Sequence, residues 1–118
     1  MTDDEAPVVL VMARDQSLVG RLVRDLKAEG LVAYGTTSLD KAVRSMTSRQ
    51  PRVLVADPSS GECVSLLDRS GGWKSIALVA IAESEGTVQK AREMGIDNVI
   101  QSDDTSAIVK AVLNLLDR

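Results

Sequence analysis

Asp57 is the side chain in this sequence best placed to do chemistry. It follows Val53 to Ala56, a short uninterrupted apolar run of the kind that forms a strand buried on both faces. A carboxylate at the end of such a strand is aimed out of the sheet's carboxyl edge, where α/β folds place ligands and reactive groups. There it can ligate a hard cation or act as a nucleophile. The other apolar runs that end at that edge bring little to join it. They offer Ala13 and Arg14 after the first run, Ala80, Ile81 and Ala82 at the fourth, and Gln101 and Ser102 at the fifth.

Other chemistries find fewer parts still. The chain has no histidine and one cysteine, which excludes zinc sites of the usual kinds and any Ser-His-Asp or Cys-His arrangement. A Ser–Lys pair stays open. The glycines form neither G-x-G-x-x-G after a strand nor G-x-x-x-x-G-K-[ST], so dinucleotide and P-loop readings lack their phosphate cradle. Cys63 reads as a small buried hydrophobe more readily than as a thiolate at a helix start. Trp73 follows Gly71-Gly72 and is expected to cover the sheet's end or anchor a partner.

The elements that must hold Asp57 alternate along the whole chain. Val8 to Met12 is an apolar run. Leu18, Val19, Leu22, Val23 and Leu26 follow at helical spacing, capped by Asp15 and closed by Gly30. Leu31 to Tyr34 is a weaker strand, and Ser38 or Thr37 caps a helix carrying Leu39, Ala42, Val43 and Met46. After Asp57 come a helix with Val64, Leu66 and Leu67, the strand Ala77 to Ala82, and a helix with Val88, Ala91 and Met94. Asn98 to Gln101 forms a short fifth strand, and Ile108, Ala111, Val112, Leu115 and Leu116 stripe a final helix. Gly35, Gly61, Gly86 and Gly95 read as turns, and Ser102 to Thr105 as the cap of the last helix. Strict β–α alternation with short connections implies a parallel sheet covered by helices on both faces. No linker or repeat interrupts it, so residues 1–118 are expected to form a single domain.

Composition narrows the partners. At 118 residues with 44% hydrophobic and 26% charged side chains, the chain is an ordinary globular domain with a sizeable core. Trp73 and Tyr34 are its aromatics, so that core is aliphatic. A net charge of −3 and so few aromatics argue against nucleic acid, which needs a basic face or stacking platforms. No apolar run approaches the ~20 residues of a membrane span. The acidic start, Met1 to Ala6, resembles no signal peptide, and a lone cysteine suits a reducing, cytoplasmic setting.

The order of elements and three local stretches resemble the receiver domain of bacterial two-component response regulators. VLVMARDQSLVGRLVRDLKAEG is similar to that family's first strand, acidic turn and first helix. QPRVLVADP is similar to its phosphoacceptor strand, and AREMGIDNVIQSD to its fourth helix and fifth strand. The resemblance covers about the whole chain. It implies a doubly wound, flavodoxin-like sheet of five parallel strands in the order 2-1-3-4-5, with Asp57 as the phosphoacceptor position.

Around that position the sequence departs from the family. The metal-binding acidic pair is replaced by Ala13 and Arg14, the hydroxyl residue by Ile81, the lysine by Ser102, and the aromatic switch by Val99. The loop after the phosphoacceptor is shortened to Pro58-Ser59-Ser60-Gly61. Phosphoryl transfer needs a metal ion and cationic or hydrogen-bonding groups around the moving oxygens. A cation at Arg14 repels a dication, and an alkyl group at Ile81 dries the site, so Mg²⁺ binding is expected to be weak or absent. Arg14 is instead a candidate to pair with Asp57 through its planar fork.

The leading expectation is therefore a pseudo-receiver: non-catalytic, needing no cofactor, and acting through a signalling protein partner or a homodimer. The family's interaction face would here carry Lys90, Glu93, Met94, Val99, Gln101, Asp103 and Lys110. A weakly active phosphoreceiver using Asp57 and a regulatory domain that binds a small ligand in the remodelled pocket are the alternatives.

Overall fold

The computed structural model describes residues 7–57, 76–82, 84–93, 96, 98–100 and 105–116. Within them β1 spans Val8–Met12, α1 Gln16–Ala28, β2 Val32–Thr36, α2 Leu39–Arg49 and β3 Val53–Ala56. Then come β4 (Ala77–Ile81), α3 (Glu85–Glu93), β5 (Asn98–Ile100) and α4 (Thr105–Leu116). The strands pair in parallel in the order β2-β1-β3-β4-β5. The parallel pairing is the one the alternation implies, and the strand order is the one the resemblance implies. The chain winds from β1 out to β2, then returns past β1 to β3, so the order reverses between β1 and β3. Ligands of such sheets sit beyond the carboxyl ends of the strands at that reversal, which is where Ala13 and Asp57 emerge.

Successive strand side chains point to opposite faces, and both faces are buried. Val9 and Val11 of β1 pack with Leu18, Leu22 and Leu26 of α1 and Ile108 and Val112 of α4. Leu10 and Met12 pack on the other side with Leu54, Ala42 of α2 and Ala91 of α3. Continuous Val/Leu runs therefore make the central strands, because every position in them needs an apolar partner. Asp15 caps α1 as expected, its Oδ1 accepting from the Ser17 N–H at 2.9 Å and the Leu18 N–H at 3.4 Å. Ser38 caps α2, its hydroxyl accepting from the Lys41 N–H. Gly30 after α1 takes φ +86, which a residue with a Cβ adopts at a cost.

Two glycines read as turns belong to regular elements. Gly35 lies inside β2, which runs on to Thr36 and does not stop at Tyr34. A Cβ there would overlap the side chains of Val19 and Val23, so its smallness lets α1 sit close on the strand. Gly86 is in the first turn of α3, where the Ser84 hydroxyl accepts from the Thr87 N–H and caps the helix. The expected helix around Val64, Leu66 and Leu67, the shortened loop, Cys63, Trp73, the glycines at 61 and 95 and the cap at 102–104 lie outside the described residues.

Candidate functional site

The local sequence puts Asp57 at the rim by extending a ladder. β1 and β3 are in register with Met12 opposite Ala56, and β3 and β4 with Ala56 opposite Ala80. The Asp57 N–H continues the pairing by donating to the Met12 carbonyl at 3.2 Å. One step beyond the strands, Asp57 is therefore flanked in the sheet by Ala13 and Ile81. Alternation places all three on the face that carries Val53, Val55, Val9 and Val11, the α1 side. Further along, the Ala82 N–H donates to the Ile100 carbonyl at 2.9 Å, tying β5 to the same rim.

Asp57 is 7% exposed and is the buried charged side chain among the described residues. Ala13 and Ile81 are each 2% exposed. Neither brings an oxygen or a cation to the positions beside the carboxylate. Asp57 is nonetheless engaged: no buried side-chain polar atom among the described residues lacks a hydrogen-bond partner, as burial of a charge requires.

Its partner is not Arg14. That side chain is exposed, and the ion pair among the described residues joins Arg24 Nε to Asp25 Oδ1 at 3.5 Å. The pairing expected from charge is not formed. Arg14 lies in the bend past the end of β1, and a guanidinium keeps its hydration by staying in water. Asp15, the next acid, is committed to the α1 backbone as its cap. No group of three or more His, Cys, Asp or Glu side chains able to hold a metal gathers among the described residues.

The second candidate region is the face for partners. Lys90 and Glu93 are exposed on α3, and Val99 is half-buried on β5. Lys110, on α4, lines a groove with Asp25 and Glu29 of the α1 end. Met94, Gln101, Ser102 and Asp103 lie outside the described residues.

One feature of the surface escaped the sequence reading. An open groove of about 380 Å³ runs between α1 and the end of β2, lined by Gly20, Val23, Gly35, Thr37 and Lys41 among others. Its sequence signal is Gly20, a glycine inside an otherwise well-formed helical pattern. No described helix is long and apolar enough to cross a membrane.

Neither a family model nor a curated protein matches the sequence. Solved structures do match the fold. The receiver domain of a Francisella response regulator is 17% identical, with a TM-score of 0.79 over 95% of this chain and 98% of that one. An orphan response regulator of H. pylori is 20% identical, with a TM-score of 0.77 over the same shares. A two-component response regulator from Clostridium difficile is 13% identical, with a TM-score of 0.80 over 95% and 97%. At these identities the likeness is one of fold.

Proposed function

We propose that the chain is a two-component signalling domain of the pseudo-receiver kind, which binds a partner protein and does not switch by Mg²⁺-dependent phosphorylation of Asp57. The observation that carries this reading is the rim itself: a buried aspartate held between the methyl of Ala13 and the alkyl side chain of Ile81, with exposed Arg14 the next residue after Ala13. Mg²⁺ prefers six oxygen ligands and is held in such sites by one or two carboxylates with water and phosphate. Asp57 supplies one, Ala13 none, and Arg14 adds a repulsive charge, so the set does not suit the ion. An incoming phosphoryl group would likewise meet Ile81 where a hydroxyl could have bonded its oxygens. Such a domain turns over no substrate and needs no cofactor.

Partner binding is assigned to the face formed by α3, β5 and the β5-facing side of α4. Exposed Lys90 and Glu93 and half-buried Val99 support it. The occupant is a signalling protein or a second copy of the chain. A weakly active phosphoreceiver is the second reading, favoured by the retention of an aspartate at the end of β3. Incubation with Mg²⁺ and acetyl phosphate, followed by intact-mass measurement, separates the two. An unchanged mass is expected, and a phosphoryl adduct lost in Asp57→Asn overturns the proposal.

A further inference from the structure

We draw no further inference here: the strongest candidate, the open groove between the end of α1 and α4 lined by Asp25, Glu29, Val109, Lys110 and Leu113, carries charges of both signs beside apolar side chains, and nothing in the structure shows what covers it.

Discussion

The rim around Asp57 and the groove along α1 are neighbours at the same end of the sheet, yet they are built on opposite principles. At the rim a charge is retained while Ala13 and Ile81, each 2% exposed, close around it. At the groove the positions are open, and Gly20 leaves space that packing does not require. The rim has the form of a reaction site with structural contents; the groove has space that no packing demand explains.

The largest test of this contrast is Ala13→Asp. It buries a second carboxylate beside Asp57, and an uncompensated buried charge costs about 3–5 kcal/mol. Thermal unfolding should show that loss, and millimolar Mg²⁺ should restore most of it by bridging the two acids. The natural chain should show no such response. If Mg²⁺ raises its midpoint equally, the rim already holds the ion and the contrast fails. Adding Arg14→Asp, Ile81→Thr and Ser102→Lys should then allow phosphorylation by acetyl phosphate, read by intact mass.

Next in size comes Gly35→Ala. The new methyl overlaps Val19 and Val23, whose branched side chains have few alternative rotamers in a helix. Overpacking of this kind costs about 1–3 kcal/mol, so the urea midpoint should fall. Gly20→Ala, in the same helix, should raise it, through a gain of about 0.5–1 kcal/mol in stability. A fall in both variants would mean that α1 packs Gly20 after all.

What the sequence made legible follows the same division. The central strands were readable to the residue, Val8–Met12 and Val53–Ala56, because burial on both faces leaves only apolar runs. The edge strand β2 was misjudged: its extension through Gly35 depends on how close α1 lies, and no period in the chain encodes that distance. Asp57 and its flanking alanine and isoleucine could be aligned because parallel register is regular. The Arg14 partnership could not, since opposite charges one strand apart say nothing of which side a side chain turns. Grooves arise between elements, and α1's flank became visible only once β2 and α2 were set beside it.

The smallest predicted effect bears on which role Asp15 serves. If it is only the helix cap, as its bonds to the Ser17 and Leu18 N–H groups indicate, then Asp15→Ala should cost about 1 kcal/mol. Asp15→Asn should recover much of that, because an amide oxygen accepts the same N–H bonds. Neither change should alter any residual response to Mg²⁺, since a cap whose oxygen is spent on backbone donors contributes nothing to a cation. A rim acid would behave differently: Asn would be as damaging as Ala to ion binding, while stability without the ion would rise as repulsion from Asp57 was relieved. The two roles therefore predict opposite signs for Asp15→Asn in unfolding experiments without metal, and the sign decides whether the rim has one acid or two.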